Sequence, residues 1–307
     1  MKCTIIVCTY NRAHSLERTL RELLLQDYPQ DDVEILIIDN NSNDSTKHIV
    51  DALSDGSRFK LHYLFEAKQG LSNARNTGIR HARGDIVIFI DDDAYPKETT
   101  WIQKLASVYQ DSTVGAAGGD AEPVWPSTGR PDWLHDKLLN YLGVIRFGYR
   151  KITPLNYPNY PYGVNISFRK SLIQQFGGFD SELGRKGDVL LSAEETELCY
   201  RVEQAGYSVV YVPKAEVLHV MASDRLTAEW FIRRSRSQGM SKAKLELNKL
   251  TLILFAIKII RRCIILIGAT LAQYIFKIIR KEPLALYFKC LMTMSLAYLK
   301  IVATNQR

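Results

Sequence analysis

A six-residue run from Cys3 to Cys8 ends at the polar turn Thr9–Arg12, and runs of the same form recur at 33–38 (VEILII), 61–65 (LHYLF) and 86–90 (IVIFI). Short segments rich in β-branched and aromatic residues, each closed by a polar turn, predict buried strands. Between the first two, Leu16, Leu20, Leu23 and Leu24 fall at helical spacing; between the third and fourth, Leu71, Ala74, Gly78 and Ile79 do the same. A helix over 98–109 and a strand over 113–117 continue the alternation. The first half therefore predicts an α/β fold with a mostly parallel sheet flanked by helices. Ligands of such sheets bind beyond the carboxyl ends of the strands.

Residues 119–162 break the rhythm, with prolines and glycines set among Trp125, Trp133 and several tyrosines, and suggest an excursion on the substrate side. Regularity returns with a strand over 164–169, helices over 170–176 and 194–205, and a strand over 208–212. The predicted catalytic unit spans 1–240. The segment 241–307 reads as a separate tail: Lys244, Asn248, Thr251, Lys258 and Arg262 mark one side of a helix, while Leu247, Leu250, Leu254 and Ile257 cover much of the rest. The uncharged stretch from Cys263 to Phe276 would be about 21 Å long as a helix, short of a bilayer core of about 30 Å. A re-entrant hairpin, a distorted span and two interfacial helices stay open, beside a tail packed on the catalytic unit.

Charge sharpens this division. The chain of 307 residues carries +7 overall, but 15 basic and 2 acidic residues lie from Arg233 onward, and the part before it is net −6. The basic character belongs to the tail, which favours an anionic membrane surface over nucleic acid as its partner. Five widely spaced cysteines, mostly among aliphatic residues, predict reduced thiols rather than bridges or a zinc site. The run from Cys3 to Cys8 is too short for the hydrophobic region of a secretory signal, so the expected location is the cytoplasmic face of the cell membrane.

Asp91, Asp92 and Asp93 follow the fourth strand directly. Three adjacent carboxylates repel one another unless cations or donors compensate, and Mg2+ or Mn2+ with substrate phosphates is the simplest compensation. In an extended segment Asp91 and Asp93 point one way and Asp92 the other. An acidic turn opening a helix is the bland alternative. Thr9–Tyr10–Asn11–Arg12, the loop Asp39–Asp44 and the segment Lys68–Asn76 fall at the ends of neighbouring strands, where an Asp can accept from a nucleoside and an Arg can meet phosphate. Neither a dinucleotide-fold nor a P-loop glycine pattern is present.

Taken together, VCTYNR, LIIDNNSNDST, GLSNARNTGIRHARGDIVIFIDDD, YGVNISFRK, GGFD, EETELCYRVEQAG and VPKAEVLHV resemble the inverting family 2 glycosyltransferases of the GT-A fold, in order and approximate spacing over about residues 3–220. The resemblance implies a GT-A, Rossmann-like sheet and a nucleotide-diphosphate-sugar donor. It places Thr9, Tyr10, Asn11, Arg12, Asp39, Asn41, Arg75 and Asp92 near that donor. It makes Asp91 and Asp93 the metal motif for Mg2+ or Mn2+, with His219 beside them or simply packed. The family's acidic pair at a helix start corresponds to Glu194–Glu195 here, so the base role falls on Glu195, with Glu194 or Glu197 as substitutes. A capping box from Ser192 to Glu195 competes for the same carboxylate. Trp125, Asn165 and Glu197 are the implied acceptor contacts.

The implied reaction is a direct displacement in which the base takes a proton from an acceptor hydroxyl and the nucleoside diphosphate departs from the opposite face. A glycan or lipid-linked acceptor would give the basic tail a use. The rival readings are a metal-dependent nucleotidyltransferase, which would release pyrophosphate, and a non-catalytic glycan- or nucleic-acid-binding protein.

Overall fold

The computed structural model describes residues 1–187, 189–247 and 252–304. In chain order the first elements are β1 (Cys3–Thr9), α1 (Ala13–Leu24), β2 (Val33–Asp39), α2 (Thr46–Ser54), β3 (Lys60–Phe65), α3 (Leu71–His81), β4 (Ile86–Asp91) and β5 (Ala94–Pro96). They are followed by α4 (Trp101–Ser107), β6 (Val114–Gly118), β7 (Ala121–Val124), β8 (Thr153–Leu155), β9 (Asn165–Arg169), α5 (Lys170–Gln175), α6 (Glu194–Gln204), β10 (Ser208–Tyr211) and β11 (Val217–Val220). The last three are α7 (Ala228–Leu247), α8 (Leu252–Ile278) and α9 (Glu282–Thr304).

The main sheet has the order β3-β2-β1-β4-β9-β6-β10-β8. β1 to β4 pair in parallel, and β9 enters antiparallel between β4 and β6. The apolar runs are continuous because both sheet faces are covered. On β1, Ile5 and Val7 join one core with Leu16, Leu20 and Leu23 of α1, while Ile6 joins the other with Ala74 and Ile79 of α3. Register sets the polar ends side by side: Thr9 lies opposite Asp39, and Cys8 opposite Asp91.

A second sheet, β5-β11-β7, is absent from the sequence-based expectations, as are α2 and β8. These strands have three or four residues, too few to show a period. The helix expected over 98–109 is α4, continued by a 3-10 turn at Val108–Gln110. All five cysteines are unbridged.

The chain divides into two compact units. The first comprises 1–124, 143–184 and 194–220; the second comprises 125–142, 185–193 and 221–307. This division differs from the expected boundary at 240, which falls inside α7. The reason lies within the second unit: Trp133 and Tyr141 pack against Phe231 of α7, and His135 stacks on Tyr287 of α9, so part of the aromatic excursion belongs with the C-terminal helices. Asn248, Leu250 and Thr251 of the expected amphipathic stripe lie outside the described residues.

Candidate functional site

The site is built where β4 ends. Asp92 and Asp93 form the turn from β4 into β5, and β5 pairs with β11 so that Ala94 faces His219. The Val220 N–H donates to the Asp93 carbonyl at 2.8 Å, fixing that turn to β11. This pairing brings an imidazole from 126 residues downstream to the acidic turn, with His219 Nε2 at 3.1 Å from Asp93 Oδ1. Ligand atoms of Asp91, Asp93 and His219 all lie within 4.8 Å of one another.

Two carboxylates and an imidazole, largely buried, form a donor set that fits Mg2+ or Mn2+ with further oxygens from a substrate. Asp92 points elsewhere, as strand alternation predicts. It accepts from Thr9 Oγ1 at 2.8 Å and from Arg12 Nη1 at 3.1 Å, and the same Arg12 nitrogen lies 2.8 Å from Asp93 Oδ2. Burial pushes the Asp92 carboxyl up to about 6, with Arg12 pulling the other way and Asp93 reinforcing the rise.

Arg75, on α3, is buried and ties this metal-binding set to the acidic helix start. Its Nη1 lies 3.1 Å from Glu194 Oε1 and 3.0 Å from Glu195 Oε1, and its Nη2 lies 3.7 Å from Asp91 Oδ1. The guanidinium also lies over the rings of Phe89 and Phe179. Burial works against its charge, but Glu195, Glu194 and Asp91 outweigh that cost and hold Arg75 protonated, above its ordinary range.

Glu195 Oε1 accepts a second hydrogen bond, from the Gly163 N–H at 3.0 Å. The expected capping box is not formed: Ser192 Oγ donates to Gln238, Ala193 turns at φ 79°, and Glu195 is committed to Arg75 and Gly163. Among the described residues no donor reaches Glu195 Oε2, and the side chain keeps 15% exposure against 3% for Glu194.

The donor-side expectations divide. Tyr10 is exposed. Asn11 and Asn41, both at positive φ, shape the facing loops, and Asn11 exchanges hydrogen bonds with Ser42 and Asn43. Asp39 accepts from the Ser42 N–H at 2.8 Å and from Tyr63 OH at 2.6 Å, which leaves each oxygen further lone-pair capacity at the sheet edge. Thr9 and Asp92 are buried, as Asp39 is, and bonded to each other, so they also brace Arg12 and the turn.

Two of the acceptor-side residues have partners within the fold. Asn165 is fully buried, and its amide serves Trp101 Nε1, Asp120 O and Ala215 O. Glu197 is buried and holds Arg201 at 2.6 Å, one helical turn away. Trp125 is half-buried and belongs to the second unit.

The sequence reading included Gly163, Asn40 and Asp44 in its motifs but assigned none of them a role. Asn40 Nδ2 donates to Glu66 O and Lys68 O while its Oδ1 accepts from Gly70 N, which sets the start of α3 and hence Arg75. Asp44 accepts from Ala13 N at 2.9 Å and from Thr46 N at 3.0 Å, serving the starts of both α1 and α2. An Asp two residues before Thr46 is a helix-start signal that could have shown half of this.

Residues 4–176 match the family model described as Glycosyl transferase family 2. The chain is 32% identical over 251 residues to the glucosyl-dolichyl phosphate glucuronosyltransferase of Haloferax volcanii, covering 80% of this chain and 78% of that protein. Glycosyltransferase AglE of the same organism is 27% identical, with coverage of 68% and 63%. Among solved structures, the mannosyltransferase PcManGT from Pyrobaculum calidifontis in complex with GDP-Man and Mn2+ is similar with a TM-score of 0.61 at 21% identity, over 100% of this chain and 76% of that one. S. aureus TarS in complex with UDP-GlcNAc gives a TM-score of 0.56 at 19% identity, over 82% and 68%. At these identities the two structures establish the fold.

Proposed function

Because the chain belongs to glycosyl transferase family 2, we propose that it transfers one sugar, with inversion, from a nucleoside-diphosphate-sugar to a hydroxyl of a lipid-linked or polysaccharide precursor. The observation that carries this reading is the buried Arg75, which joins the Asp91–Asp93–His219 group to Glu195. A transferase of this kind must place a metal-bound diphosphate and a base on opposite sides of one anomeric carbon. A cation held by Asp91, Asp93 and His219 would supply Lewis-acid compensation for charge on the departing diphosphate.

Glu195 is the base in this reading. Arg75 and the Gly163 N–H hold Oε1, so the carboxylate has a defined orientation and offers Oε2 to the acceptor hydroxyl. Glu194, nearly inaccessible and also on Arg75, positions the guanidinium. Tyr10 and Asp39 lie at the sheet edge where a nucleoside would sit, and Arg12 lies beside Asp93 where a phosphate would meet it. The lipid-linked acceptor is supported by the dolichyl phosphate named for the Haloferax relative and by the net charge of +13 from Arg233 onward, which suits the cytoplasmic face of an anionic membrane.

The test is a panel of nucleotide sugars with Mg2+ or Mn2+ and a membrane lipid extract, scored for nucleoside diphosphate and for glycosylated lipid. Glu195→Gln and Asp93→Ala are each expected to lower turnover about a hundredfold or more. Full activity in Glu195→Gln would remove the base assignment, and release of pyrophosphate would identify a nucleotidyltransferase instead.

A further inference from the structure

Helix α8 carries an apolar face that its own unit leaves uncovered. Ile257, Ile260, Ile264, Ile267, Leu271 and Ile278 recur at helical spacing along one side and are 54% to 80% exposed. The other side is occupied: Ala269 is buried, and Phe276 stacks on Phe288 of α9 with ring centroids 5.4 Å apart. A contiguous apolar strip several turns long marks an interaction surface.

The charges around the strip name the partner. At one end Lys258, Arg261 and Arg262 lie near Lys242, and the Glu246 carboxylate among them meets Lys258 at 2.7 Å and Tyr298 OH at 2.8 Å. Burial, and then the neighbouring Arg262, push the Lys242 ammonium down to about 8, so it is Lys258, Arg261 and Arg262 that offer charge at this end. At the other end stand Lys277, Arg280 and Lys281. Apolar residues framed by cations at both ends match a bilayer's acyl boundary and its anionic phosphates.

Packing within the second unit decides how the membrane is met. α9 is the one helix among the described residues long and apolar enough to cross a bilayer. One face of it packs on its neighbours: Cys290, Met294, Ser295 and Tyr298 are buried, and the Met294 carbonyl lies where a Cβ on Gly239 of α7 would stand, 2.2 Å away. Inserting the α8–α9 hairpin tip first would carry Arg280, Lys281 and Glu282 into the hydrocarbon.

We infer that α8 lies flat in an anionic membrane surface, with its exposed strip at the acyl boundary and its flanking cations among the lipid phosphates. This rests on the lipid-linked acceptor reading and deepens it: the protein is held in the plane where its acceptor diffuses, without a membrane span.

The test uses the full chain with vesicles of mixed phosphatidylcholine and phosphatidylglycerol, and with phosphatidylcholine alone. Binding is expected to be stronger to the mixed vesicles and to fall roughly a hundredfold in the double variant Ile264→Ser/Ile267→Ser. The exposed pair Arg261→Glu/Lys277→Glu is expected to weaken it about tenfold or more and to reduce the difference between vesicle types. Thermal melts of both variants establish that they fold. The inference is overturned by unchanged vesicle binding in both, by protease protection showing α9 across the bilayer, or by a dimer that Ile264→Ser/Ile267→Ser dissociates without affecting vesicle binding. Nucleoside diphosphate release is measured in every arm: release that persists while vesicle binding fails removes only the membrane mode, and absence of release in the wild type removes only the transferase reading.

Discussion

Arg75 sets the tolerance of the whole site, because a single buried guanidinium holds three carboxylates from two distant segments. Such a group is costly to bury and costlier to misplace, since a carboxylate deprived of it would be left uncompensated. Its surroundings leave no spare room: a Cβ built on Gly163 would stand 2.0 Å from Arg75 Nη2 and 2.2 Å from Glu195 Oε1. Gly163→Ala is therefore expected to lower stability by about 1–3 kcal/mol and turnover about tenfold or more, with donor KM changing less than kcat, as melts and steady-state kinetics would show. The triple aspartate was legible as a metal motif because like charges in sequence demand compensation. That Asp92 points away from its neighbours followed from strand alternation, but that its partners are Thr9 and Arg12, and that Asn165 and Glu197 bond within the fold, was not legible. A residue's type states what it can bond to, but its partners here lie 4 to 83 residues away.

At the scale of elements, β1, β2, β4 and β6 stood out because strands buried on both faces must be continuously apolar, while the edge strand β3, expected to be buried, is only half-buried. β5, β7 and β11 did not, although β11 delivers His219; in strands so short, pairing geometry outweighs composition. The C-terminal helices were visible as apolar segments, whereas their order of packing was not. α9 lies against both α7 and α8, and Gly239 permits its close approach to α7. Gly239→Ala is expected to destabilise the second unit by about 1–3 kcal/mol, seen as a lower denaturant midpoint with little change in slope. Wild-type stability in that variant would show that the two helices can separate without cost.

For the molecule as a whole, charge is partitioned: net −6 before Arg233 and +13 from there on. The acidic turn nonetheless has protein cations and an imidazole against it, with Arg12 on Asp92 and Asp93 and His219 on Asp93. Chelation of divalent cations is therefore expected to abolish nucleoside diphosphate release while shifting the melting midpoint by only ~2 °C, and added Mn2+ to restore turnover. A collapse of the fold on chelation would contradict this account. The sequence by itself determined the α/β class, the family, the acidic metal motif and the basic, apolar character of the tail, because each is a local pattern of charge or hydrophobicity. Tertiary structure alone decided which of the polar residues face the site, how His219 reaches Asp93, and that the aromatic segment 125–142 groups with α7 and α9. Those outcomes depend on long-range pairing and on competition for buried hydrogen bonds, which no periodicity along the chain records.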